Sequence, residues 1–98
     1  MAAQTPEGRV KAKIKTWLQA RGIWFFMPVS SGFGVKGVPD FVCCIGGTFL
    51  GIEAKAPGKL SNTSELQKIQ LAAIKAAGGI AIVVDDVSQL DQLEKELK

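Results

Sequence analysis

Hydrophobic and polar residues follow two different periods along this chain, and these periods divide it into helices and strands. A helical period begins at Thr5-Pro6, an N-cap followed by a proline at the first helical position, and stops at Gly22. A second amphipathic helix is predicted over residues 65–77, and a short acidic helix over residues 88–98. The apolar stripe of the first helix consists of Val10, Ile14, Trp17 and Leu18.

Apolar and β-branched runs between the helices predict four strands. Gly46-Gly47 separates the second strand from the third and is a two-residue hairpin signal, whereas residues 30–37 form a Gly-rich loop. The predicted order αβββαβα indicates an α/β fold with a small mixed sheet flanked by helices. The predicted strands cover residues 23–29, 38–45, 48–56 and 80–85.

Composition predicts a single domain that spans residues 1–98. The chain is 47% hydrophobic and 21% charged, which is typical of a folded domain. It has no apolar run near the roughly 18 residues of a membrane span, and its first residues lack the apolar core of a signal peptide. We therefore expect a cytoplasmic protein with no membrane association.

The absence of histidine from the sequence narrows the chemistry of this chain. Ser-His-Asp catalysis, Cys-His catalysis and His-liganded metal sites are excluded. Cys43 and Cys44 are the only cysteines, and adjacent strand residues point to opposite faces, so we expect no disulfide between them. A metal ion would need oxygen ligands, which favours Mg²⁺, Mn²⁺ or Ca²⁺.

Three charged residues lie in the predicted hairpin among apolar residues and glycines. Burial of a charge costs free energy unless the charge is paired or binds a metal ion. Asp40 lies six residues before Gly46 and Glu53 lies six residues after Gly47. Antiparallel pairing therefore places the two carboxylates opposite each other, with Cβ atoms about 4.5–5.5 Å apart. Lys55 shares a strand face with Glu53.

Two carboxylates at this separation share either a proton or a cation. The pair suits Mg²⁺, which usually binds one or two carboxylates together with substrate phosphate. Lys55 could then orient a water or stabilise charge on the phosphate, and such a set would hydrolyse phosphodiesters. The alternatives are a structural ion cluster on a solvated sheet face and an unrelated binding use.

Glu7 and two glutamines are polar residues on or beside the apolar stripes of the helices. Glu7 lies on the apolar side of the first helix, so it either points toward the sheet or, as an acid in the first turn, complements the helix dipole. In the second helix, periodicity selects Gln70 as the inward glutamine. Gln67 lies at the edge of the stripe, where it could close a capping box with Ser64.

Basic residues are concentrated in the N-terminal third of the chain. Residues 1–36 carry six Lys or Arg against one acid, and residues 85–98 carry five acids against two Lys. This distribution suits a polyanionic partner, although solvated helix faces are often basic as well. The candidate phosphate contacts are Arg9, Lys11, Lys13, Lys15, Lys36 and Lys59.

The motif residues resemble those of a nuclease family. PD at residues 39–40 followed by EAK at residues 53–55 is similar to the signature of the PD-(D/E)XK nuclease superfamily. A narrower resemblance, to the virus-type replication-repair nuclease (VRR-NUC) domain, is carried by GVPDF, EAKAPGK and LQKIQLAAIKAAGGIAIVV. The resemblance extends from about Glu7 to Val84, and it implies a restriction-endonuclease-like core.

The resemblance implies hydrolysis of DNA phosphodiesters with Mg²⁺ or Mn²⁺ and no organic cofactor. Asp40, Glu53 and the backbone carbonyl of Ala54 would bind the metal, and Lys55 would position or activate the attacking water. Glu7 would hold the water shell of the metal or a second ion.

The resemblance also selects Gln67 as the helix glutamine at the site, in conflict with the periodicity that selects Gln70. The residues that we expect to contact DNA are Arg9, Lys13, Lys36 and Lys59.

Short stand-alone forms of this family from phages and prophages are expected to be homodimers that act on branched DNA, such as four-way (Holliday) junctions. We therefore predict a metal-dependent, structure-selective DNA endonuclease in the cytoplasm of a bacterial host. The alternatives are a binding module of the same fold without catalysis, a nuclease for RNA, small phosphoesters or unstructured DNA, and a sequence-specific restriction-type nuclease. The aromatic run of residues 24–27 is expected in the core, or in part at a dimer interface.

Overall fold

A computed structural model describes residues 4–29 and 34–97 of the chain. Within these residues the helices and strands follow the predicted order, and a mixed sheet carries its strands in chain order, β1-β2-β3-β4. The α/β class and the small mixed sheet are confirmed. The elements are α1 (Pro6–Ala20), β1 (Trp24–Phe26), β2 (Phe41–Ile45), β3 (Thr48–Ala54), α2 (Glu65–Ala76), β4 (Ile80–Val84) and α3 (Ser88–Glu96).

The cap predicted at the start of α1 is present. The Thr5 side chain accepts a hydrogen bond from the Gly8 amide at 2.9 Å, and Pro6 occupies the first turn, where its missing N–H costs nothing. The apolar stripe of α1 is buried against the sheet, as predicted, and it shares its core with Leu90 of α3. No helix in the described part of the chain is long and apolar enough to cross a membrane.

The hairpin between β2 and β3 has the predicted register. Phe41 pairs with Ile52 at one end and Ile45 pairs with Thr48 at the other. Gly46 and Gly47 both adopt positive φ, +55° and +81°, as a tight two-residue hairpin turn requires. β3 then pairs with β4 in parallel, which makes the sheet mixed.

The two faces of the sheet are covered unequally. α1 and α3 pack on the face that carries Phe41, Leu50 and Ile52, whose side chains are fully buried. α2 packs on the other face, where Ile74 lies against Gly51. The adjacent cysteines point to these opposite faces: Cys43 is buried and Cys44 is exposed.

The aromatic run after α1 is not the core that we expected. Trp24 is 61% exposed and Phe26 is 48% exposed, while Phe25 between them is half-buried. Met27 is also largely exposed, at 38%. The expectation of core positions is therefore wrong for these three residues. Trp24 and Phe26 lie on the face of the short edge strand β1 that α2 covers only in part, and Met27 follows the end of this strand.

β2 begins three residues later than predicted, at Phe41, so Val38, Pro39 and Asp40 precede the strand. Proline has no amide hydrogen to donate to a ladder, which places it before the paired residues. Upstream of it, Gly37 has a φ of +82°, and a Cβ there would lie 2.5 Å from the backbone of Leu66. This segment therefore packs directly on the first turn of α2. The predicted Gly-rich loop lies partly outside the described residues, at positions 30–33.

Candidate active site

The register of the hairpin brings Asp40 and Glu53 together at the end of the sheet. Because Phe41 pairs with Ile52, the next positions outward are Asp40 and Glu53, as the sequence predicts. Asp40 lies just before β2, and its Oδ2 accepts a hydrogen bond from the Ala54 amide at 2.9 Å. The carboxylate thus takes the place of a ladder partner for Ala54 and is fixed beside Glu53.

Glu53 and Lys55 are buried charged residues, with relative exposures of 2% and 8%. The Lys55 Nζ lies 3.5 Å from the Glu53 Oε2. The second carboxylate oxygen, Oε1, is buried without a hydrogen-bond partner. Such an oxygen is costly in a folded protein unless another group or an ion satisfies it.

The side chain of Gln67 joins α2 to this pair. Its Nε2 donates to the Glu53 Oε2 at 2.6 Å, and its Oε1 accepts from the Lys55 Nζ at 2.9 Å. The same Oε1 accepts from the Ser64 amide, which closes the capping box considered from the sequence. Three hydrogen bonds therefore fix both ends of the Gln67 amide.

The choice of Gln70 by periodicity was wrong for this site. Periodicity ranks helix positions by azimuth alone, and Gln67 lies at the edge of the apolar stripe. However, Gln67 is the third residue of α2, where side chains point back past the helix N-terminus. From there its amide reaches Glu53 and Lys55.

The surroundings of Glu53 favour its neutral form. Burial is the main cause and the nearby Asp40 carboxylate adds to it; together, although Lys55 acts in the opposite direction, they raise the pKa of Glu53 from 4.5 to about 7. A cation beside the orphaned Oε1 would reverse this balance and hold the carboxylate ionised.

Lys11 lies between Glu7 and the Asp40 carboxylate of the site. The Lys11 Nζ lies 3.6 Å from the Glu7 Oε2, one helical turn away, and 3.6 Å from the Asp40 Oδ1. Glu7 therefore borders the cluster at its rim, with a side chain that remains 43% exposed. The sequence offered Lys11 only as a phosphate contact. The Glu-Lys pair at i, i+4 was the available signal for this bridge.

The four predicted DNA contacts lie around this cluster rather than in it. Arg9 and Lys13 lie on the flank of α1 away from Lys11, where they line a cavity together with Asp85 and Asp86. The Arg9 guanidinium donates to the Gln4 carbonyl. The remaining two, Lys36 and Lys59, are exposed in the segments before β2 and before α2.

The protein groups that could hold a metal ion are few. Among residues 4–29 and 34–97, no group of three or more His, Cys, Asp or Glu side chains is arranged to hold one. Asp40 and Glu53 supply two carboxylates, and the unpartnered Oε1 belongs to one of them. This set fits an ion such as Mg²⁺, which takes one or two carboxylates and completes its shell with water and phosphate.

Comparisons of the chain with protein-family models, curated proteins and solved structures give no match. The resemblance to VRR-NUC domains therefore depends on the motif residues themselves.

The stability of the protein without metal should depend on the pH through Glu53. Folded Glu53 keeps its proton up to a pKa of about 7, whereas the unfolded chain releases it near 4.5. The free energy of unfolding should therefore fall as the pH rises through this interval, by up to about 3 kcal/mol. Urea unfolding in EDTA at about pH 5 and pH 8 measures the change. Glu53→Gln should lack this component, and an identical pH dependence in the variant would contradict the raised pKa.

Gln67 and Gln70 provide a matched pair for the role of the amide. Gln67→Ala removes the capping box and a hydrogen bond to each of two buried charged groups, so the free energy of unfolding should fall by about 2 kcal/mol. Gln70→Ala places a good helix former in the same helix and should change it by less than about 0.5 kcal/mol. Equal losses in chemical denaturation would contradict the special position of Gln67.

Proposed function

We propose that this chain is a Mg²⁺- or Mn²⁺-dependent, structure-selective DNA endonuclease that hydrolyses phosphodiester bonds in branched DNA, such as four-way junctions. The observation that carries the proposal is the buried, unpartnered Oε1 of Glu53, opposite Asp40 and beside Lys55. Buried carboxylates with an open oxygen and a neighbouring ammonium are suited to a hard cation and a phosphate. The resemblance to phage-type nucleases implies action in the cytoplasm of a bacterial host.

Asp40 and Glu53 would hold the metal ion, with the Ala54 carbonyl as a third ligand. A bound divalent ion would neutralise phosphate charge and lower the pKa of a bound water. The Ala54 amide fixes Asp40 at one oxygen, which leaves Oδ1 for other partners. Glu7, beyond Lys11, would hold the water shell or a second ion.

Lys55 and Gln67 would prepare the site for water attack. The Gln67 amide accepts from Lys55 and donates to Glu53, so it holds both side chains at fixed positions before substrate binds. The Lys55 ammonium has further donors, and these would orient the attacking water or stabilise the negative charge that develops on phosphate. Arg9, Lys13, Lys36 and Lys59 would contact the DNA backbone and give salt-dependent affinity without base specificity.

Several features of the sheet support a restriction-endonuclease-like core of the VRR-NUC type. The PD residues lie directly before β2, Glu53 and Ala54 of the EAK residues are the last two residues of β3, and β4 pairs with β3 in parallel. The glutamine that the resemblance selects lies against the EAK residues. These relations are the ones that the motif implies.

An inactive module that binds nucleic acid through the same surface is the second candidate. It is favoured by the ion pairs already present, because Lys55 compensates Glu53 and Lys11 compensates Asp40 without any metal. A structural cluster of this kind would be stable without catalysis. Cleavage assays separate the two candidates.

We also propose that the chain acts as a homodimer through the open half of the sheet. The pairing of β1 with β2 and of β2 with β3 aligns Trp24, Cys44 and Phe49 side by side on the face that α2 covers only in part. Trp24 is 61% exposed and Phe49 is 43% exposed. A contiguous exposed apolar patch is typical of a protein interface, and a two-fold dimer would present two sites to two strands.

Cleavage of a labelled four-way junction and its matching linear duplex, in Mg²⁺, Mn²⁺ or EDTA, tests the nuclease proposal. We expect metal-dependent cutting of the junction and not of the duplex. Asp40→Asn and Glu53→Gln should each lower the rate by about a hundredfold or more, with the fold and DNA binding retained. Glu96→Gln changes an exposed carboxylate on α3 and should cut normally. Binding without cutting would favour the inactive module. Preferential cutting of an RNA control would show that RNA, and not branched DNA, is the substrate.

Light scattering with size-exclusion chromatography tests the dimer. We expect twice the mass of one chain, and the double change Trp24→Ser and Phe49→Ser should give monomers, because it removes two large exposed apolar groups from the patch. Leu97→Ser alters an exposed leucine elsewhere and should leave the dimer intact. A wild-type monomer at micromolar concentration would contradict the proposal.

A further inference from the structure

The Lys11 side chain of α1 contacts a carboxylate of the hairpin. Its ammonium lies 3.6 Å from the Asp40 Oδ1 and 3.6 Å from the Glu7 Oε2. The other Asp40 oxygen is occupied by the Ala54 amide. The oxygen of Asp40 that remains for a cation is therefore the one that Lys11 already faces.

Each of the two hairpin carboxylates thus has its own lysine. Lys55 pairs with Glu53 and is nearly buried, with 11% of its side chain exposed, and Gln67 holds it in place. Lys11 pairs with Asp40 and is 33% exposed. It has no comparable clamp among its contacts with Glu7 and Asp40. Of the two lysines, Lys11 is the one that can move away.

We propose that Lys11 is a built-in cation that occupies the Asp40 carboxylate and competes with the divalent metal ion for it. This inference rests on the proposed function, because it assumes that Asp40 is a metal ligand. Without metal, the ammonium offsets the repulsion between the Asp40 and Glu7 carboxylates. Metal binding displaces Lys11 from the Asp40 Oδ1 toward Glu7. The metal ion therefore binds only when the ion pair between Lys11 and Asp40 breaks.

The competition follows from simple electrostatics. Two like charges about 4 Å apart repel measurably even in water, and a divalent ion doubles the effect of a single charge. A partly exposed ion pair is weak, so a divalent ion can break it. Lys11 therefore lowers the metal affinity without abolishing it.

Binding of Mn²⁺ alone, measured from the paramagnetic resonance signal of free Mn²⁺, tests the competition. Lys11→Met should raise the affinity by roughly fivefold or more, since it removes the competing charge. Lys11→Arg keeps the charge and should stay within about twofold of wild type. Lys15→Met removes an exposed positive charge one turn further along α1 and should also change the affinity by less than about twofold, because the distant charge is screened.

Thermal unfolding gives a second readout. In EDTA, Lys11→Met should unfold at a lower temperature than wild type, because the carboxylates lose their counter-ion. Mn²⁺ should then raise its unfolding temperature by more than it raises that of wild type, since tighter binding stabilises the folded state more. A purely structural lysine would lower the temperature in EDTA and leave the Mn²⁺ affinity unchanged, which would overturn the proposal.

The remaining outcomes separate this inference from the function on which it rests. If Asp40→Asn abolishes Mn²⁺ binding but Lys11→Met and Lys15→Met raise it by the same factor, the effect is one of net charge and Lys11 is not a competitor. If wild type and Asp40→Asn bind Mn²⁺ equally, or neither binds it, Asp40 is not a metal ligand, and both proposals fail.

Discussion

One side-chain amide, that of Gln67, connects the parts of this molecule that have to stay together for any chemistry to occur. It closes the first turn of α2, accepts from the buried Lys55 and donates to the buried Glu53. Each of these groups would cost free energy if left without its partner. The start of α2 and the charged pair of Glu53 and Lys55 are therefore stabilised by the same three hydrogen bonds.

The sheet supplies the second constraint. β4 pairs with β3 in parallel through Glu53 and Ala54, and the Glu53 side chain at this end of the sheet is buried. Asp40 is different, since it stands before its strand and remains partly open to solvent. The two carboxylates therefore differ in their contact with water, and burial raises the pKa of Glu53 to about 7.

Local rules in the sequence were sufficient for much of this arrangement. The glycine pair at residues 46–47 fixes the turn, the turn fixes the register, and the register alone places Asp40 opposite Glu53. The exposed aromatic residues of β1 were beyond such rules, because an apolar run looks the same whether a helix covers it or not. The contacts of Gln67 and Lys11 were difficult to predict for a related reason. A long side chain can contact groups on other elements, and the position of a residue around the helix axis does not show which groups it contacts.

The glycine before the PD motif has an influence that extends beyond its own loop. Gly37 lies against the backbone of Leu66, the residue directly before Gln67, with no room for a Cβ. A larger residue there would push the start of α2 outward and carry the Gln67 amide away from Glu53 and Lys55. Position 37 would therefore score as essential in any survey of tolerated substitutions, although its glycine has no side chain to take part in a reaction.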